Sequence, residues 1–272
     1  MNVKRKFTPG SEWLYLKIYT GIKTSDLILE DAINPLVLYF REKNLIQKWF
    51  FIRYYDPKPH LRVRFEINDI EDYNEILQSV NEMLKRFVDS SEISKIIIDS
   101  YVREIERYGE STMEYAEELF CNSSDLTLHF LEYNDEEKIV VSMFYIEEML
   151  SALDFSSAEK FELSDISNKA FKNEFNADKK LNSQLNRKYR DFRPKYADFL
   201  HSDQLHEVRK LIRNNISESV SSHVLQFNNI KLAIDFFQSI FHMHINRTFT
   251  SEQRLFEMII YGYLFKHSKR IH

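Results

Sequence analysis

Along the first hundred residues apolar positions alternate with polar ones in four stretches, and from there on they recur every three or four residues. In WLYLKIYTG at 13–21, Leu14, Leu16 and Ile18 alternate with Trp13, Tyr15, Lys17 and Tyr19, the period of a strand. A helical pattern runs from Ser25 to Leu45, and Asn34-Pro35 in its middle suits a fresh N-cap and first turn, so two pieces are expected. Next, WFFIRYYDPKPHLRVRF reads as strand, turn, strand over 48–55 and 60–67, with Asp56, Pro57 and Pro59 interrupting the apolar runs. Asp69 or Glu71 opens a helix to about Val88, with Ile76, Val80, Leu84 and Phe87 on one stripe. ISKIIIDSYVRE at 93–104 is a fourth strand.

The order β-α-β-β-α-β predicts an α+β protein with a ferredoxin-like antiparallel sheet, both helices on one face and the other face open. After Ser111 the pattern is helical only, with breaks expected near 122–125, 134–136, 156–157, 176–178 and 214–219. The expected division is an α/β portion over 1–108 and a helical portion over 109–272, packed toward the open face of the sheet. Four glycines in 272 residues agree with a mostly helical chain, since tight hairpins recruit glycine for positive φ. The basic stretch at 180–200 reads as a solvated helix face, and Met149, Leu150, Leu153 and Phe155 as core.

Composition narrows the function classes. With 43% hydrophobic and 29% charged residues the chain is an ordinary folded protein. A net charge of −5 argues against direct nucleic-acid binding. A single cysteine, Cys121, excludes a disulfide framework or a multi-cysteine metal site and suits a reducing cytoplasm. The basic start MNVKRKFTPG is not followed by an uninterrupted apolar stretch, so neither a signal peptide nor a membrane span is expected.

Candidate chemistry concentrates in PHLRVRF at 59–65. If Leu61, Val63 and Phe65 face the helices, then His60, Arg62, Arg64 and Glu66 share the opposite face, joined from the fourth strand by Ile97, Asp99, Tyr101 and Arg103. Two guanidiniums on a rigid strand make a receptor for carboxylates, although alternating charge is also what the wet side of a half-exposed strand shows. A second cluster is FHMHINR at 241–247, where His242 and Asn246 share one side of a helix and His244 and Arg247 another. This spacing splits the two imidazoles and is poor for chelating one metal. Nor does the chain contain HExxH, a Gly-rich phosphate loop or a GxSxG elbow.

Taken in order, WLYLKIYTG, KWFFIRYYDPKPHLRVRF, YVREIERYGE at 101–110, MEYAEELF and FHMHINR resemble the C-terminal elimination domain of lantibiotic dehydratases. The same domain occurs as a separate protein in thiopeptide-type bacteriocin gene clusters. The likeness covers nearly the whole chain, without the large glutamylation domain that precedes it in full-length dehydratases. It implies expulsion of glutamate from glutamylated serine or threonine of a precursor peptide, leaving dehydroalanine or dehydrobutyrine. Implied catalytic residues are His242, Arg62, Arg64, Glu104 and Arg107, with Arg103, His244 and Arg247 binding substrate, and the arginines meeting His242 in one cleft. No metal or organic cofactor is implied. The implied partners are the precursor peptide and a separate glutamyl-tRNA-dependent glutamylation protein, with a homodimer as an alternative to a monomer. Glu110 departs from the family pattern, which has a second glycine there. Two other readings stay open: a pyridine synthase of the same fold, joining dehydroalanines by formal [4+2] cycloaddition, and a non-catalytic peptide-binding subunit.

Overall fold

A computed structural model of the protein describes residues 3–221, 227 and 230–271. The chain is mixed α/β, with antiparallel sheets in its first part and helices in its second, and it divides into two compact units. One comprises Met1–Glu132 with Asn246–Ser251, the other Tyr133–Ile245 with Glu252–His272.

In the first unit β1 (Lys6–Phe7) precedes β2 (Trp13–Thr20), α1 (Thr24–Ile28), α2 (Asn34–Glu42), β3 (Ile46–Tyr55), β4 (Pro59–Ile67), α3 (Tyr73–Asp89), β5 (Ile93–Asp99) and β6 (Tyr101–Val102). Two further helices, α4 (Ile105–Tyr108) and α5 (Met113–Leu128), complete it. The main sheet has the order β3-β4-β2-β5 with every neighbouring pair antiparallel. Strand period decides its two faces. Leu14, Leu16 and Ile18 of β2 and Leu61, Val63 and Phe65 of β4 are buried against Val37 and Phe40 of α2 and Ile76, Val80 and Leu84 of α3. Each such side chain contributes about 1.5–3 kcal/mol by leaving water.

The segment after β2 forms the two expected helical pieces, the second opening at Asn34 with Pro35 in its first turn, but no side-chain cap separates them: a π-helical turn at Leu29–Ile33 joins α1 to α2. Other expectations need correction. The strand expected over 93–104 divides at Ser100, and β6 leaves the main sheet to pair with β1. The break expected at 122–125 does not occur, because the polar residues there serve tertiary contacts instead of ending α5. Ser124 Oγ bonds back to Phe120 and accepts the Phe51 amide of β3, while Asp125 accepts from Trp49 Nε1 and from both Nη atoms of Arg41. Since α5 thus packs on β3, the first unit extends to residue 132, beyond the division at 108.

The outer edge of β3 is closed twice. Beside the Ser124 contact, the Asn246 carboxamide accepts from the Arg53 amide and donates to the Arg53 carbonyl, each at 2.9 Å, as a neighbouring strand would.

The second unit contains α6 (Asp135–Ala152), α7 (Ser157–Glu174), α8 (Lys179–His201), α9 (His206–Ser221), most of α10 (Ile230–Thr248) and α11 (Gln253–Ile271). Asn134, Ser156 and Asp178 cap α6, α7 and α8 at the expected breaks, whereas 214–219 runs through α9 and the chain turns instead at residues 203–205. On α8 the buried residues are Leu185, Tyr189, Phe192, Tyr196 and Phe199, and Arg187, Lys188, Arg190 and Arg193 are exposed. Among the described residues no helix is long and apolar enough to cross a membrane.

Two buried carboxylates lend themselves to measurement. Glu117 of α5, fully buried, accepts Arg103 Nε and Nη2 at 2.7 and 2.6 Å, so Glu117→Ala should cost about 3–5 kcal/mol in chemical denaturation by stranding the guanidinium. Burial pushes the Glu147 carboxyl from 4.5 up to about 7, against the hydrogen bond it accepts from Tyr196. A raised carboxyl favours the folded state fully below its unfolded pKa and loses that advantage as pH rises through the folded one. Wild-type stability should therefore fall by up to about 3 kcal/mol between about pH 4.5 and pH 8, and Glu147→Gln should remove the decline.

Candidate functional site

The face of the sheet turned away from α2 and α3 carries the charged residues. On β2 it presents Trp13, Tyr15, Lys17 and Tyr19, and antiparallel register sets these opposite Glu66, Arg64, Arg62 and His60 of β4. Asp99 of β5 lies opposite Tyr15 and binds the Lys17 ammonium at 2.5 Å. That bond holds Lys17 above its ordinary range and Asp99 below its own.

Arg62 is half-buried, with its guanidinium 3.4 Å from the centre of the Tyr54 ring and its Nε donating to His60 Nε2 at 3.2 Å. Arg64 is buried more deeply, at 8% exposure, inside an aromatic cage with Tyr15, Tyr101 and Phe50 at 4.3, 5.0 and 5.1 Å. Phe7 and Trp13 pack on Tyr101, and Phe120 on Phe50, so the cage is built by the β1–β6 ribbon and α5 together with the sheet. Among the described residues no carboxylate forms an ion pair with Arg64, and its buried Nε has no hydrogen-bond partner. Cation–π contact offsets part of the desolvation. It does not supply the counter-charge that a buried guanidinium ordinarily has.

Glu104, the residue before the short α4, and Arg107, within it, are 3.7 Å apart and exposed. Gly109 ends this helix at φ +81°, where a Cβ would come within 2.6 Å of Thr112 Oγ1. Glu110 takes no left-handed conformation, so the second glycine of the family pattern is not required by the backbone here. The buried Tyr108 hydroxyl is pushed up to about 12, first by burial, and it feels the charges of Arg107, Glu104, Arg247 and Arg64. Those four groups and Arg62 therefore share one electrostatic neighbourhood. Arg247 is fully buried, 4.8 Å from the Phe120 ring, and its carbonyl accepts from Arg53.

Arg103 is placed differently. Its Nε and Nη2 are taken by Glu117, and its Nη1 donates to the Lys4 carbonyl, which makes it a clamp between the ribbon and α5.

His242 and His244 belong to the second unit. His242 Nδ1 meets Glu257 Oε1 at 2.9 Å, and the other oxygen of this buried carboxylate accepts from Arg254 at 2.7 Å. Arg254 is anchored in turn by Glu174. An imidazole fixed by a carboxylate through one nitrogen keeps the other for proton transfer. His244 is 2% exposed and stacked on Tyr145 at 4.0 Å. Sequence reasoning missed Glu257 and Arg254. The available signal was a lone carboxylate inside the apolar run LFEMIIYGY, which must have a partner when buried.

Among known proteins, the profile described as lantibiotic biosynthesis dehydratase C-term matches residues 13–268. The chain belongs to this family. The subtilin biosynthesis protein SpaB of Bacillus subtilis is 28% identical over 93% of the chain, which spans 25% of SpaB. The nisin biosynthesis protein NisB of Lactococcus lactis subsp. lactis is 36% identical over 47% of the chain and 12% of its own length. The tRNA-dependent lantibiotic dehydratase MibB from Microbispora superposes with a TM-score of 0.71 at 17% identity, over 98% of this chain and 29% of MibB. TbtD, a pyridine synthase from thiomuracin biosynthesis, gives 0.63 at 13% identity over 96% and 98%. At such identities the superpositions show a shared fold alone.

Burying a guanidinium without an ion-paired carboxylate costs stability. Arg64→Met, which keeps the volume and removes the uncompensated charge, should raise the unfolding free energy by about 1–4 kcal/mol in denaturant titrations. An arginine retained for the fold would give a loss instead.

Proposed function

We propose that the protein is a lyase that expels glutamate from glutamylated serine or threonine of a precursor peptide, leaving dehydroalanine or dehydrobutyrine. The observation that carries this reading is Arg64, buried in its aromatic cage without a carboxylate partner among the described residues. Such a group is compensated when an anionic ligand arrives. Arg62, with its fork above Tyr54, and Arg107 on α4 would hold the remaining charge of the glutamyl group. β-Elimination needs the α-proton removed, the developing enolate stabilised and the departing carboxylate neutralised. In this proposal His242 moves the proton and Glu257 orients it, while the arginines receive the carboxylate. Glutamylation is the work of another domain or protein, and the reaction runs in the cytoplasm without metal or organic cofactor. The strand order with both helices on one side supports a ferredoxin-like reading of the sheet, whose opposite, arginine-bearing face would take the substrate.

One observation supports a second reading: the pyridine synthase TbtD shares the fold, superposing with a TM-score of 0.63. Cycloaddition between dehydroalanines has no departing glutamate and gives no reason for caged arginines.

Supplied with a glutamylated precursor peptide, the protein should release free glutamate, leaving a product lighter by one water per modified residue than the unmodified peptide. Arg62→Ala should leave glutamyl adducts in mass spectra, by loss of about 3 kcal/mol of transition-state stabilisation. His242→Ala should slow elimination about 10²- to 10⁴-fold. Adducts that persist with the wild-type protein, while a dehydrated peptide is macrocyclised, would establish the synthase.

A further inference from the structure

His60 lies next to Arg62 on the same face of β4 and does more than fill space. Its ring is 4% exposed, stacked on Tyr19 at 4.6 Å and tilted against Tyr54 at 5.5 Å. Nδ1 lies 2.9 Å from the Lys58 carbonyl, which has no hydrogen to give, so Nδ1 carries the proton and donates. Nε2 is then a bare lone pair, and Arg62 Nε–H donates into it at 3.2 Å. The same guanidinium lies flat on Tyr54, which also touches His60, so ring and fork are held as one assembly. Both nitrogens of His60 are committed in one tautomer, and that tautomer fixes which edge of Arg62 is turned inward.

We propose that His60 is a positioning residue: in its neutral form it holds Arg62 by the Nε edge, leaving both Nη atoms presented to a ligand carboxylate, and on protonation it releases Arg62. The inference rests on the reading of Arg62 as a carboxylate receptor. The charged or titratable groups facing the imidazole are Arg62 on its own strand, Lys17 and Tyr19 on β2, Tyr54 on β3 and Asp56 in the turn. Burial first, then the charges of Arg62 and Lys17, push His60 below the usual imidazole range, against the Lys58 carbonyl and Asp56. Neutral His60 is thus the form at ordinary pH. Imidazolium has a donor at both nitrogens and cannot accept from Arg62, so positioning is lost as pH falls through the lowered pKa.

Two side-chain replacements separate packing from acceptance. His60→Phe keeps the aromatic contacts with Tyr19 and Tyr54 and removes the acceptor. His60→Gln can place an amide oxygen where Nε2 was and does not titrate. The direct readout is the Arg62 Nε–H resonance of ¹⁵N-labelled protein without ligand, assigned by its disappearance in Arg62→Lys. In wild type it should be protected from exchange at about pH 8 and lose protection toward about pH 5. In His60→Gln it should stay protected throughout, and in His60→Phe it should be unprotected at every pH. The second readout is calorimetric titration with free L-glutamate. Affinity should fall on acidification in wild type, fall about tenfold or more in His60→Phe, and lose its pH dependence in His60→Gln. Protection of Arg62 Nε–H in His60→Phe equal to wild type, or glutamate binding that tightens as His60 protonates, would overturn the proposal. If the resonance behaves as expected and glutamate does not bind wild type, positioning stands and the substrate reading fails.

Discussion

Taking a guanidinium out of water is costly unless other charges and acceptors replace the lost hydration, and the first unit shows three solutions to that constraint. Arg53 is completely provided for: Nη1 donates to Ser25, Nη2 to Asp26 and Nε to the Arg247 carbonyl. Arg103 has Glu117 across a two-point contact and the Lys4 carbonyl besides. Arg64 meets ring faces and, among the described residues, no carboxylate in ion-pair contact. The first two arginines hold β3 and the β1–β6 ribbon in place, and those elements in turn enclose the third. Two ion-paired or hydrogen-bonded arginines thereby maintain the environment in which the third meets aromatic rings and no ion-paired carboxylate among the described residues.

This division of labour explains why the charged face of the sheet is so aromatic. A cation among carboxylates is neutralised and inert toward a further anion. A cation among Tyr15, Phe50 and Tyr101 is desolvated without being neutralised, and its pKa falls through burial. Low local polarity also strengthens whatever charge pair is finally made there.

Much of this was legible in the sequence, and the physical reasons are plain. Period-two alternation in β2 and β4 fixed which side chains meet the helices, so the placement of Arg62, Arg64 and Asp99 on the far face followed from parity. The breaks at 134–136, 156–157 and 176–178 were visible because the capping residues there act on their own neighbours. What could not be read depends on partners distant in sequence. Ser124 and Asp125 look like helix breakers until Trp49, Phe51 and Arg41 are there to receive them. Arg103 looked like a ligand contact for want of any sign that Glu117 would face it. Glu257 was overlooked because its meaning comes from His242, fifteen positions away on the preceding helix. The strand at 93–104 read as one element since nothing local reveals that β1 would take its end.

Asn246 illustrates how narrow such a requirement can be. Its carboxamide stands in for a peptide group, with an acceptor turned to the Arg53 amide and a donor to the Arg53 carbonyl. Aspartate has the same outline and two acceptors, so one of its oxygens would confront the carbonyl instead of bonding it. Hydrolysis of this single side-chain amide, the slow chemistry by which proteins age, would convert a seal on the sheet into a point of repulsion. The seal at Arg53, one of the two on this strand edge, is thus entrusted to one covalent bond that water can break.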